Sequence, residues 1–209
     1  MGRLIGAMRG LAVSLGMSSL MADLATGACL SLLALSAIPA VGWGIGKLRG
    51  TVHRALAGWI GPDFAFAAMN WLTFPGVALH ELSHALIAML CGAKVDEVKL
   101  FRPAGDSLGY VRFTCRGNRN RMALQAAASS CAPVFMGFLA IRAMAALAAA
   151  LPGYWQARVL AYHIAFSMAC HMTMSRQDLS SYRKGCVRLF LMLLPIGFIA
   201  AYIAGRAAA

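Results

Sequence analysis

Long apolar runs, broken by short basic stretches, constrain this chain more than any other feature. Residues 24–46, LATGACLSLLALSAIPAVGWGIG, are uninterrupted by charge. At about 1.5 Å per residue such a helix crosses about 30 Å of hydrocarbon. Further runs follow at 66–91, 123–150, 157–174 and 187–204. Hydrocarbon offers no water to backbone N–H and C=O groups, so a spanning segment satisfies them internally as a helix or in a closed barrel. The runs are continuous rather than alternating, and the fold class they imply is an all-α polytopic membrane protein with about five transmembrane helices. Sixty per cent hydrophobic residues, 12% charged residues and a mean hydropathy of +0.69 lie far from soluble-domain averages. The formal net charge of +12 would suggest a nucleic-acid partner in a soluble protein. Here the basic residues sit mainly between apolar runs, so membrane topology accounts for them and no nucleic acid is expected.

Residues 1–22 carry Arg3 and Arg9 ahead of a weakly apolar stretch and read as an interfacial or amphipathic lead-in, with an uncleaved extra span as the alternative. Residues 23–65 form the first transmembrane helix and its loop, with Lys47, Arg49 and Arg54 ending the span. Residues 66–185 form the membrane core, and residues 186–209 a C-terminal transmembrane helix. Within the core, Pro75 suits the first turn of a helix with Thr73 as its cap, and Gly92 is a natural stop. Residues 93–122 are the one extended polar region. AKVDEVKLF and LGYVRFT alternate apolar with polar residues around the turn-forming PAGDS, which predicts a β-hairpin over 94–115. The six cysteines show no CxxC spacing and are assigned neither disulfides nor metal.

If five helices alternate, one margin gathers thirteen Lys and Arg residues, from the N-terminus, the hairpin region and 175–188. The other keeps five: Lys47, Arg49, Arg54, Arg158 and Arg206. The positive-inside rule makes the first margin, with the hairpin, cytoplasmic. Arg142 interrupts the third run, either lining a cavity or reaching toward an interface.

The second run contains FPGVALHELSHALIAMLCG, an HExxH motif inside an apolar helix. His80 and His84 are four residues apart, one above the other on a single face, so both imidazoles reach one metal ion. Zinc accepts histidine nitrogens and acidifies a bound water, and Glu81 beside it is placed to take the proton. With five His and two Glu in the chain, shuffling the composition yields this pattern on the order of once in a thousand tries. Ionisable residues in a bilayer-spanning helix also usually face an interior cavity and serve function. A catalytic zinc usually takes three protein ligands, and the candidates for the third are Asp178, His171 and His163. Asp178 is chosen because a carboxylate at a membrane margin needs a partner. His171 is an alternative ligand or a supporting group, and His163 reads as a packed, hydrogen-bonded histidine.

These segments, with APVFMG and SRQDL further on, resemble the site-2 protease family of intramembrane zinc metalloproteases over roughly residues 70–185. The resemblance implies a core of three transmembrane helices, one zinc ion per chain held by His80, His84 and Asp178, and Glu81 as catalytic acid and base. That family commonly places Asn-Pro ahead of an Asp-Gly pair, whereas Leu179 follows Asp178 here, as in a divergent member. The function expected is endopeptidase cleavage of a membrane-protein or peptide substrate within the lipid bilayer, in a bacterial cytoplasmic membrane with the site nearer the cytoplasm. The hairpin edge offers a place to hold an unwound substrate strand. The alternatives are an inactive scaffold or a metal transporter using the same His/Asp cluster.

Overall fold

The structure is a computed structural model that describes residues 2–100 and 109–207. In chain order it contains α1 (Gly2–Ser14), α2 (Ser19–Ile60), α3 (Pro62–Trp71), α4 (Phe74–Leu90), β1 (Lys94–Lys99), β2 (Tyr110–Thr114), α5 (Arg119–Ala150), α6 (Trp155–His171) and α7 (Arg176–Ala207). The chain divides into two compact units, one of residues 1–37 with 186–209 and the other of residues 38–185.

Among the described residues, three helices are long and apolar enough to cross a membrane: α2, α5 and α7. The second expected span is instead two helices, because the chain breaks at Leu72–Thr73 between α3 and α4. α4 has 17 residues, about 25 Å of helix, and α6 has the same number. α1, at 13 residues, is shorter still. The runs at 66–91 and 157–174 are therefore helical but do not give full-length spans. Lys47, Arg49 and Arg54 do not end α2, which continues to Ile60. Charge limits how far a helix stays in hydrocarbon, but Lys and Arg are good helix formers and stop nothing by themselves.

In the larger unit, α4 packs against α5, α6 and both strands, and α5 packs along α6. Small residues allow close approach. Gly76 of α4 lies against the Ser167 backbone of α6, where a Cβ would collide with the carbonyl. The Gly76 N–H donates to Ser167 Oγ at 2.6 Å, and that hydroxyl donates to the Thr73 carbonyl at 2.8 Å. Gly92 ends α4 at φ +85°. Its N–H donates to Met89 O at 2.8 Å and the Ala93 N–H to Ala88 O at 2.9 Å, the paired bonds of a Schellman stop. Pro75 sits in the first turn of α4 with Thr73 at the cap position, but the Thr73 hydroxyl makes no capping bond. It turns back to the Met69 carbonyl and toward His171.

The strands pair antiparallel, with Val95 opposite Phe113 and Val98 opposite Val111, and a bulge between Val95 and Glu97. The predicted hairpin is therefore present as a sheet, while its PAGDS turn lies outside the described residues. The Thr114 hydroxyl donates to Asp96 at 2.6 Å and holds that carboxyl below its ordinary range. Lys99, 2.9 Å from Glu97, does the same for that residue.

Residues 172–175 leave the helical path after α6, and Arg176 begins α7. Asp178 thus belongs to the first turn of the last helix and not to an extension of the fourth run. Gly42 and Gly46 of α2 lie against Met174 and Thr173 of this connection. Lys47, Arg49 and Arg54 are consequently not a membrane's thickness away from Ser175, as strict alternation required.

In the smaller unit, Arg9 of α1 makes a 2.6 Å ion pair with the buried Asp23 of α2. Gly27 and Gly197 bring the backbones of α2 and α7 together, and Ser31 Oγ donates to the Gly27 carbonyl at 2.9 Å. Small residues at such crossings are typical of helix contacts in lipid.

Candidate metal centre

The motif helix places His80 and His84 on one face, and their rings meet edge to face with centroids 4.9 Å apart. Each ring is held from behind. His80 Nδ1 lies 2.6 Å from the His171 carbonyl, and His84 Nδ1 lies 2.8 Å from the Ser129 carbonyl. A carbonyl oxygen only accepts, so each Nδ1 carries the proton and each neutral ring presents a bare Nε2 lone pair. The two Nε2 atoms are 3.2 Å apart. Two lone pairs facing at that distance repel unless something positive lies between them. Zinc–nitrogen bonds of about 2.0–2.1 Å at a tetrahedral angle set two nitrogens about 3.3 Å apart, so the pair fits one edge of a zinc site. Histidines whose other nitrogen donates to a carbonyl are also the usual form of metal-bound histidine.

Asp178 Oδ1 lies 3.9 Å from His84 Nε2. Its other oxygen, Oδ2, accepts from the Ser175 backbone N–H at 2.9 Å and from the Ser175 hydroxyl at 2.7 Å. Asp178 N–H donates to Ser175 Oγ at 3.1 Å. This reciprocal pair is a capping box at the start of α7, and it aims Oδ1 at the histidines. Among the described residues no three His, Cys, Asp or Glu side chains close to metal-ligand distances together. The His84–Asp178 edge is the wide one.

His171 is buried, and its ring bonds Thr73 of the α3–α4 break. Nε2 lies 2.7 Å from Thr73 Oγ1, and since that hydroxyl donates to Met69 O, the histidine donates to it. The contribution of His171 to the cluster is its backbone carbonyl. His163, two turns earlier on α6, lines neither neighbouring cavity, and Arg142 is exposed on α5 and lines neither.

Two cavities flank the cluster and share His80, Glu81, Gly109 and Ser175. One, of about 310 Å³, runs between Tyr110 of β2, Ser129 and Ser130 of α5, and Asp178 and Ser181 of α7. The other, of about 570 Å³, reaches Arg49 and His53 of α2 and Asn70 of α3. Glu81 therefore faces space on both sides. His80, Glu81, His84 and Asp178, the residues expected to share a site, all line the smaller cavity. Sequence reasoning missed Ser129, whose carbonyl and hydroxyl both bond α4, and Ser175, although S-R-Q-D is a legible capping box.

A model of the family described as Peptidase M50B-like matches residues 68–207, which include all of the cluster. No curated protein and no solved structure matches the chain.

Proposed function

Since the chain belongs to the Peptidase M50B-like family, which is the site-2 protease family, and is an integral membrane protein, we propose that it is an intramembrane zinc metalloendopeptidase. The observation that carries the reading is the pair of bare Nε2 lone pairs on His80 and His84, each fixed by a carbonyl behind it, with Glu81 next to them in the cavity wall. His80, His84 and Asp178 would hold one zinc ion. When bound, that ion supplies Lewis-acid polarisation of the scissile carbonyl and a water of lowered pKa.

The chain's own residues do the rest. Glu81 takes the proton from the attacking water and returns it to the nitrogen of the departing amine, so the peptide and one water become a carboxylic acid and an amine. Ser129 and His171 keep the two imidazoles in the tautomer that leaves Nε2 free. The sheet lies against α4 with Gly109 and Tyr110 at the smaller cavity, beside the place where an unwound substrate segment must lie. A helical substrate hides its carbonyls in its own hydrogen bonds, so unwinding precedes attack. The basic residues Lys94, Lys99, Arg112, Arg116, Arg119 and Arg121 favour the cytoplasmic side for this margin by the positive-inside rule.

The test is zinc content and cleavage of a membrane-peptide substrate by detergent-purified protein. Wild type is expected to hold one zinc per chain and to cut. Glu81→Gln should keep the zinc and lose about 10²–10⁴-fold in rate. Full cleavage by Glu81→Gln would reject the mechanism, and a wild type that binds no zinc in metal-replete buffer would reject the site.

A further inference from the structure

The larger cavity carries a feature that zinc hydrolysis does not require. One wall belongs to α4, with His80 and Glu81, and another to α2, with Arg49, His53 and Arg54. Arg49 is half-buried, and its guanidinium meets the carboxamide oxygen of Asn70, a neutral partner. Asn70 is itself buried and fixed through Nδ2 to the Phe66 carbonyl at 2.8 Å. Arg49 thus has a set orientation, four further N–H donors by its chemistry, and no acidic partner among the described residues. A guanidinium withdrawn from water without a counter-charge is costly, which favours an arriving anion. His53 stands one helical turn beyond Arg49, and its Nε2 is buried without a hydrogen-bond partner among the described residues. Arg49, which has no acid, and His53, whose Nε2 has no partner among the described residues, therefore stand on one helix face, and both line the cavity that contains Glu81. They precede residue 68, where the family match begins, so family membership does not supply them.

We propose that Arg49 and His53 form a carboxylate-binding subsite that anchors a peptide acid in the cavity next to the reacting centre. A planar guanidinium matches a carboxylate through two parallel hydrogen bonds, and the neighbouring imidazole N–H supplies a third donor. The subsite deepens the protease reading by giving its substrate class: apolar peptides that present a carboxylate, either the free C-terminus or an acidic side chain, close to the bond that is cut. Arg49 positions such a peptide and takes no part in bond breaking.

The experiment measures binding separately from turnover. Fluorescently labelled apolar peptides are titrated into detergent-purified full-length Glu81→Gln protein: one with a free C-terminus, its C-terminal amide, and the amide carrying a glutamate near its end. The free acid is expected to bind at least about tenfold tighter than the plain amide. Adding Arg49→Gln should remove that difference while the amide still binds as before, which shows that the protein is folded, and His53→Ala should remove part of it. If the glutamate-bearing amide matches the free acid, the subsite accepts either carboxylate; if it matches the plain amide, the anchored group is the C-terminus alone. Equal binding of acid and amide to the parent protein overturns the subsite, as does Arg49→Gln weakening all three peptides alike. An anionic phospholipid that shows the Arg49-dependent binding in place of the peptides overturns it too. Arg49-dependent acid binding by a protein whose Glu81-intact form cleaves nothing would reject the protease and leave the subsite standing.

Discussion

Asp178 answers two demands with two oxygens. Oδ2 closes the capping box with Ser175, and Oδ1 points to His84. The demands separate by substitution. Ser175→Ala should cost about 0.5–2 kcal/mol of stability, read from denaturant unfolding in detergent, and leave zinc bound. Asp178→Asn keeps an acceptor for the cap but removes the anionic ligand, so zinc content should fall while stability changes less. The His171 ring is the other informative position. Thr73→Val strands its buried Nε2–H and should cost about 1–3 kcal/mol, whereas His171→Ala retains the carbonyl that orients His80 and should keep the metal. The motif histidines and Glu81 were legible because their relation is local, a matter of helix period. Their orienting groups were not, because these are backbone carbonyls 45 and 91 residues away that any amino acid could supply. Asp178 was reachable only through chemistry and resemblance, and the fixing of its orientation by Ser175 went unread.

At the scale of elements, the apolar runs located helices well and helix ends poorly. The run at 123–150 lies within α5, whose start is set by the Asn118 side chain accepting from the Arg121 N–H. The run at 24–46 belongs to a helix of 42 residues, since hydropathy reports where lipid ends and not where hydrogen bonding ends. The break between α3 and α4 depends on α6, because Ser167 bonds both Gly76 and Thr73 across the packed helices. Gly76→Ala presses a methyl group on the Ser167 carbonyl and should destabilise by about 1–3 kcal/mol, with zinc content falling as α4 shifts. In the sheet, Asp96 and Glu97 are more acidic than free carboxyls, Asp96 chiefly through Thr114 and Glu97 chiefly through Lys99. Their contribution is present above the ordinary carboxylate range and is lost as pH falls through the lowered values. Protection of the β1 amides, measured relative to the intrinsic exchange rate at each pH, should fall on acidification more than in a Thr114→Val variant, which already lacks the Asp96 bond.

For the whole molecule, the placement of the basic end of α2 beside the connection into α7 is the arrangement that charge counting did not anticipate. It predicts that single cysteines replacing Val52 and Arg112 in a cysteine-free background react with an impermeant thiol reagent from the same face of sealed vesicles. Labelling from opposite faces would restore the alternating five-span order. The length of α4 matters beyond topology. Its 17 residues reach about 25 Å, some 5 Å less than an average hydrocarbon slab. Lipid beside a short helix thins to meet it, at a cost that grows with each ångström of mismatch. Thinning of this kind beside α4 would draw the two leaflets together, and a peptide passing from the surrounding membrane toward Glu81 would enter a region where its own apolar stretch is too long for the slab. That mismatch presses the peptide to tilt or to lose helical turns before it touches the protein, and reconstitution into short-chain lipids should relieve it.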